Sequence, residues 1–446
     1  MLFKNREQII NNGQTPELKQ VRKDVLDILS SAIDAVNPYN AVKTRFENNN
    51  LKLDDKVFDL TDYENIYVVG FGKASVGMAQ AVCDSAIIKS GIVITNDADN
   101  NVKNDNITTF AGGHPIPNNN SVIGAEKIVE MIKECNENDL LIVLISGGGS
   151  ALLSMPRIGL EELQITTDLL LKSGADINEI NTVRKHLSFV KGGQLASFAK
   201  CTVVSLIISD IIGDPIDFIA SGPTYPDFTT FSDAKNIIRK YDLWDKLPVS
   251  ARKIIEDGVN GVISDTPKKD SSVFDNVFNF IVANNKLACI AAEEKAEDLG
   301  YKTMLLTTSL DGEAKEVGKY LVGKAKNYHT YAKKSVFISG GETTVTIKGD
   351  GRGGRNQEMV LSSVEDINES DIVFVSFATD GIDGMSDAAG AIADPFTYKK
   401  SLEKGLDLKK FLDNNDSYEF FRKIDDFLIT GATGTNVMDI QIIIKI

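Results

Sequence analysis

Several glycine-containing segments carry the residue types from which an anion site could be built. Ser146-Gly147-Gly148-Gly149-Ser150 follows an apolar run. Three consecutive glycines cost backbone entropy unless something must approach the main chain closely. A phosphate cradled by N–H groups at a helix start is the group that fits, so these five residues are the candidate phosphate site. Gly70-Phe71-Gly72-Lys73-Ala74-Ser75 places a lysine directly behind a glycine turn, where its charge opposes the dipole of a following helix. An anionic ligand would supply the reason. Gly351-Arg352-Gly353-Gly354-Arg355 offers guanidinium forks that match carboxylate or phosphate oxygens in two-point contacts. A further cationic cluster runs through Arg184, Lys185, His186 and Lys191; a helix continuing through 188 would bring Arg184 and Lys191 near one face. His114, in the proline-set loop Gly112–Pro117, is a candidate anion contact, and His329 is assigned no role. Asp210 and Asp214, then Asp380 and Asp383, sit in glycine-containing loops that suit Mg²⁺ or a general base for a hydroxyl nucleophile. Asx turns and helix caps are the competing use of such residues. The small-residue loop Thr430–Asn436 suits a phosphate or nucleotide contact. Anion loops, isolated cations and paired Asp loops, without an evident His or Cys nucleophile, fit phosphoryl transfer, which needs positioning and charge neutralisation.

The elements that must position these groups read as α/β. Ile66–Gly70, Gly91–Thr95, Leu140–Ser146 and Thr202–Ser209 are short, apolar and β-branched, the pattern of strands buried on both faces of a parallel sheet. Helices are expected over 16–36, 74–89, 121–134, 159–173, 178–187 and 189–199. In open α/β sheets ligands sit beyond the carboxyl ends of the strands, where the glycine and aspartate loops fall. A second set follows, with strands near Phe280–Ala283, Thr303–Thr308, Ser335–Ser339, Thr343–Ile347, Ile372–Ala378 and Gln441–Lys445. Its helices are expected over 285–298, 312–329, 355–364, 395–404 and 416–423. A turn at Ser339–Glu342 between two strands would make this sheet mixed. The expected organisation is a doubly wound, Rossmann-like parallel-sheet domain over 1–245, a connection over 246–275, and a mixed-sheet α/β domain over 276–446. The active site is expected in the cleft between the two domains.

Composition narrows the function classes. The 446 residues hold 42% apolar and 25% charged residues, an average globular balance. Lys and Arg total 48 against 63 Asp and Glu, a net charge of −15. That field disfavours nucleic acid and anionic membranes as partners. Four scattered cysteines form no CxxC pair, which argues for reduced thiols and against a zinc site or disulfide framework. The polar, charged start and the lack of any long apolar run lead to the expectation of a cytoplasmic protein.

With those motifs in place, the sequence resembles the bacterial and archaeal glycerate 2-kinases that carry a MOFRL domain. The resemblance rests on VVGFGKAS (68–75), GGHPIP (112–117), LISGGGSALL (144–153), NTVRKHLSFVKGG (181–193), SDIIGDP with IASGPT (209–224), SGGETTV (339–345), GGRNQE (353–358), ATDGIDG (378–384) and GATGTNV (431–437). One departure is Ala432, where the family usually has proline. The resemblance implies ATP- and Mg²⁺-dependent phosphorylation of D-glycerate to 2-phosphoglycerate, and it assigns functional roles to Lys73 and Arg355. The expected site then comprises Lys73, Arg355, Asp210 and Asp380 as catalytic groups and Ser146–Ser150 for the ATP phosphates. His114, Arg184, Lys73 and Arg355 would bind substrate; Asp210, Asp214 and Asp383 would hold metal. A monomer or homodimer is expected. Relatives of this kind have also been labelled hydroxypyruvate reductases, but the nicotinamide fingerprint GxGxxG would need glycine where Ser75 stands. A nicotinamide-dependent reductase and a non-catalytic nucleotide or sugar-acid binding protein are the alternatives.

Overall fold

The computed structural model describes residues 1–328 and 334–446, so His329 and the end of the helix expected over 312–329 lie outside the described residues. The chain forms two compact units, one of Pro38–Ser209 with Asp214–Val282, the other of Met1–Asn37 with Asp210–Gly213 and Ala283–Ile446.

The first unit is built on β1 (Ile66–Phe71), β2 (Ser90–Thr95), β3 (Ile107–Ala111), β4 (Leu140–Ile145), β5 (Thr202–Ile208) and β6 (Val277–Ala283). Their order is β3-β2-β1-β4-β5-β6, and the pairings among the first five are parallel. Every residue of β1 and β4 is buried, which is why neither strand alternates polar and apolar. β3 was not foreseen; it is an edge strand whose residues are mostly half-exposed, so it lacks the apolar run of its neighbours. The strand order reverses between β1 and β4. The turns that leave those two strands therefore flank the crevice where such sheets bind ligands.

Two expectations about this unit are corrected. The helix expected over 189–199 does not form: the helix Ile177–His186 ends, and Gly192 and Gly193 take left-handed φ of +58° and +78°. Residues 246–275 are not a connection. Helix Val249–Val259 packs Ala251 and Ile255 among Leu163, Leu170, Val183 and Phe231, and the strand after it, β6, joins the parallel sheet. Gly258 makes that packing possible, since a Cβ there would lie 2.1 Å from the Phe231 ring.

The second unit holds β7 (Lys302–Leu310), β8 (Ser335–Gly341), β9 (Ile372–Ala378), β10 (Gly390–Ala393), β11 (Phe427–Leu428) and β12 (Asp439–Lys445), in the order β7-β8-β12-β9-β10-β11. β7 and β8 are parallel and the other pairs antiparallel, so the sheet is mixed as expected. The expected hairpin at Ser339–Glu342 is not the reason. Gly340 and Gly341 lie inside β8, and no strand forms over Thr343–Ile347. The antiparallel partner is instead the last strand, β12, whose first residue Asp439 pairs with both Gly341 and Ala378.

The amino-terminal helix belongs to this second unit, which corrects the 1–245 boundary. Thr15 caps it through the Leu18 N–H, Pro16 occupies its first position, and Leu18, Val21, Val25, Leu26 and Leu29 are buried. Arg22 is fully buried beside them and reaches Asp394 and Asp426, both at 2.6 Å. Tyr301 donates to Asp24 of the same helix at 2.6 Å. Removing one partner from such a network strands a buried charge, which costs about 3–5 kcal/mol. Arg22→Ala is therefore expected to lower the stability of this unit by about that amount, read as a fall in the urea midpoint; a wild-type midpoint would show the network to be dispensable.

Candidate active site

In the parallel-sheet unit, the turns after β1 and β4 are in direct contact. Gly72 has φ +127°, and a Cβ on it would lie 2.2 Å from Ser146 Oγ and 2.6 Å from its carbonyl. Only glycine lets the turns approach this closely. The Lys73 N–H then donates to the Gly147 carbonyl at 2.9 Å, and the Ala74 N–H to Ser146 Oγ at 3.1 Å. Ser75 Oγ donates to the Gly72 carbonyl at 2.7 Å and closes the turn from within, so the residue that breaks the dinucleotide fingerprint serves the turn itself.

The glycines after β4 answer similar demands. Gly148 is left-handed at φ +83°, and its missing side chain makes room for the His114 ring and the Lys73 stem, whose nearest atoms lie 2.9 and 3.4 Å from an added Cβ. A Cβ on Gly149 would come within 2.7 Å of Ala220. Among the described residues the N–H groups of Gly147 and Gly148 have no protein acceptor, and the exposed Lys73 makes no ion pair. Unspent N–H groups beside an unpaired ammonium are what an anion requires. His114, brought in by the loop after β3, has its pKa lowered by burial and by the Lys73 charge, so its ring is held neutral.

Around Ser150 a second group of side chains gathers. Ser150 Oγ lies 2.8 Å from Ser221 Oγ, and the Ser150 carbonyl accepts from Arg184 at 3.1 Å and Lys191 at 2.7 Å. The sequence reading named Arg184 and passed over Ser221. Its segment is strained, with Ala220 and Ser221 at φ +51° and +63°, conformations that cost about 1–3 kcal/mol each and concentrate at functional sites. The motif IASGPT, alternating small and turn residues, was the available signal.

The mixed-sheet unit brings together Arg355, Glu342, Asp380 and a residue not foreseen, Asp439. Arg355 clasps the buried Asp439 through Nε at 2.5 Å and Nη2 at 3.1 Å, while Nη1 reaches Glu342 at 2.5 Å. Burial pushes the Asp439 carboxyl up to about 7 against the pull of that guanidinium. Asp439 was missed because it opens the last strand, just past the loop Thr430–Asn436, where it reads as a strand residue and not as part of the loop. A cavity of about 760 Å³ is lined here by Arg355, Glu342, Asp380 and the exposed Ile347, Ile382 and Met385.

Asp383, expected to hold metal, has its carboxylate oxygens engaged within the protein. Its carboxylate is buried and accepts from the N–H groups of Asn356 and Gln357 and from both of their side-chain amides at 2.9–3.2 Å. It caps the helix Arg355–Ser362 from a distant loop, and Gly354 is glycine because a Cβ would meet that carboxylate at 2.3 Å. Asp380 spends one oxygen on the Ile382 N–H in an Asx turn. In the loop Thr430–Asn436 the hydroxyls of Thr430, Thr433 and Thr435 donate to main-chain carbonyls. Asp210 follows β5 and Asp214 is left-handed at φ +55°; both are half-buried. Among the described residues no three His, Cys, Asp or Glu side chains gather as a metal cage. A site of one or two carboxylate oxygens completed by substrate phosphate needs no such cage. Four cysteines are free thiols, and no described helix is long and apolar enough to cross a membrane.

The neutral His114 gives a direct probe. Its midpoint, followed by NMR, is expected below the ordinary 6.5 and should rise in Lys73→Ala, because removing the neighbouring ammonium stops penalising imidazolium. An unchanged midpoint in that variant would separate the two side chains.

Comparison with known proteins agrees with this architecture. Residues 24–256 match the family described as a domain of unknown function, DUF4147, and residues 335–439 match the MOFRL family. A glycerate 2-kinase of Pyrococcus horikoshii is 44% identical, over 95% of this chain and 97% of that protein. A D-glycerate 2-kinase of Thermotoga maritima is 38% identical over 95% and 98%. The crystal structure of a Thermotoga maritima glycerate kinase superposes with a TM-score of 0.86 at 37% identity, covering 96% of this chain and all of that one. A protein of Agrobacterium vitis named putative hydroxypyruvate reductase is 41% identical over 84% of this chain and 86% of its own length. The chain belongs to the glycerate 2-kinase family that carries the MOFRL domain.

Proposed function

We propose that the protein transfers the γ-phosphoryl group of ATP to the 2-hydroxyl of D-glycerate, giving 2-phosphoglycerate and ADP. The observation that carries the chemistry is the anion site at the strand-order reversal, where unspent N–H groups face an unpaired Lys73. The relatives' names supply the acceptor. The turn Ser146–Ser150 cradles phosphate through main-chain N–H groups. Lys73 neutralises charge that develops on the transferred phosphoryl group, an effect made strong by exclusion of water. Arg355 keeps outer N–H groups left over from Asp439 and Glu342 with which to bind an anionic oxygen. The 2-hydroxyl oxygen attacks phosphorus, the bond to ADP breaks, and Asp210 accepts the hydroxyl proton, with Asp380 the second candidate. Asp214, together with Asp210 where Asp380 is the base, would hold Mg²⁺, which when bound supplies charge neutralisation on the phosphates.

The reductase label draws no support from the β1 turn, where Ser75 fills the position at which a dinucleotide fingerprint needs glycine for close helix packing. Purified protein incubated with D-glycerate and Mg·ATP should release ADP and give a phosphorus NMR signal for the 2-phosphate. NADH oxidation on hydroxypyruvate without ATP would instead establish the reductase. Lys73→Ala is expected to abolish turnover at unchanged thermal stability. Arg355→Ala should abolish it too but also lower the melting temperature, because Asp439 is left buried and uncompensated. Near wild-type turnover in either variant would remove that residue from the mechanism.

A further inference from the structure

Two cations of the parallel-sheet unit converge on one carbonyl with no carboxylate beside them. Lys191 is 2% exposed, and its ammonium donates to the carbonyls of Ser150 at 2.7 Å and Leu153 at 2.9 Å. Arg184, in the last turn of the helix Ile177–His186, spends one N–H on that same Ser150 oxygen at 3.1 Å. Among the described residues neither side chain makes an ion pair within 4.0 Å. The contrast with their neighbour is direct, since buried Lys185 is matched by Asp227 at 3.3 Å. The fold thus neutralises one buried cation and leaves two basic side chains together, an arrangement that a bound anion would stabilise. Consistent with this, burial and the Arg184 charge hold the Lys191 ammonium well below its ordinary range.

The surroundings are built and rigid. Gly192 and Gly193 donate their N–H groups to the carbonyls of Ser221 and Gly222 at 2.9 and 2.7 Å, which fixes Lys191 against the strained Ala220–Ser221 segment. Ser221 Oγ faces Ser150 Oγ at 2.8 Å and Asn181 Oδ1 at 3.5 Å, so hydroxyl and amide groups border the cations. A planar guanidinium with free N–H groups beside hydroxyls suits a small hydroxy acid, whose carboxylate and hydroxyls need both. The phosphates already have their own partners in Lys73 and the glycine turn.

We propose that Arg184 binds the carboxylate of the acceptor and selects hydroxy acids over neutral polyols, with Lys191 as the positioning residue that holds the Ser150 carbonyl in place. This rests on the kinase reading. The test is steady-state kinetics and calorimetric binding of D-glycerate with Arg184→Gln, Lys191→Met and Lys191→Arg. Losing a hydrogen-bonded charge from a buried pair costs about 2–5 kcal/mol, or roughly 30- to 5,000-fold in affinity. Arg184→Gln should raise the KM for D-glycerate by that order, leave the KM for Mg·ATP within about threefold, and abolish measurable D-glycerate binding. Lys191→Met should raise the same KM, and Lys191→Arg should restore part of it. Arg184 is half-exposed, so its variant tests the idea even if Lys191→Met does not fold. An unchanged D-glycerate KM in Arg184→Gln overturns the proposal, as does a rise confined to ATP, which would give these cations to the nucleotide phosphates. Wild-type protein that makes no ADP from D-glycerate defeats the kinase reading itself, a separate outcome.

Discussion

The approach of Gly72 to Ser146 governs the parallel-sheet unit's chemistry. Two strand ends that bracket the reversal of strand order can share one site only if their turns touch, and they touch because position 72 carries no Cβ. Everything nearby follows from that contact. The Lys73 N–H is fixed on the Gly147 carbonyl, so the lysine stem must pass Gly148, and Gly148 must be glycine because the His114 ring lies on its other side. The consecutive glycines are thus a packing solution before they are a binding device. Their N–H groups are available because no side chain could be accommodated to cover them.

The mixed-sheet unit solves a different problem. Its central strand β12 comes last in the chain, so residues far apart in sequence meet at one sheet edge: Gly341, Ala378 and Asp439 pair across three strands. Gly340 leaves space for Asn285, whose amide donates to the carbonyls of Val437 and Asp439 at 2.9 Å and pins the start of β12. That edge orients Arg355 through Asp439, while Asp383 holds the helix on which Arg355 sits. Two carboxylates that look alike in sequence therefore do separate work. One aims a guanidinium; the other caps a helix.

Much of this was legible from local pattern. Apolar runs located β1, β2, β4 and β5, and helix 285–298 emerged with its observed bounds, because burial on both faces and helical periodicity are properties of short segments. The glycine turns were legible for the same reason. What escaped was long-range. Arg22 and Asp24 look like a solvated helix face, yet their partners Asp394, Asp426 and Tyr301 lie hundreds of residues away, so the amino-terminal helix was assigned to the wrong unit. Amphipathic helix 249–259 among polar residues resembled a linker until its apolar face met Phe231 and Leu163. Asp383 resembled a ligand because nothing local says that two amides and two N–H groups will reach it first.

Charge bookkeeping ties site and fold together. In a chain of net charge −15, acidic groups outnumber basic ones 63 to 48, so a cation buried without a carboxylate partner stands out. Two of the buried cations have such partners: Arg22 has two aspartates and Lys185 has Asp227. Buried Lys191 has none, nor do half-buried Arg184 and exposed Lys73, and all three lie in the turns and helix end around Ser146–Ser150. An acidic surface repels the anions that a glycerate kinase must admit, so their attraction has to be local and short-ranged, within about a Debye length of 8 Å in physiological salt. Cations without carboxylate partners beside unspent main-chain N–H groups meet that requirement. An anion bound there would offset the cost of those uncompensated cations, which would couple ligand occupancy to the stability of this unit.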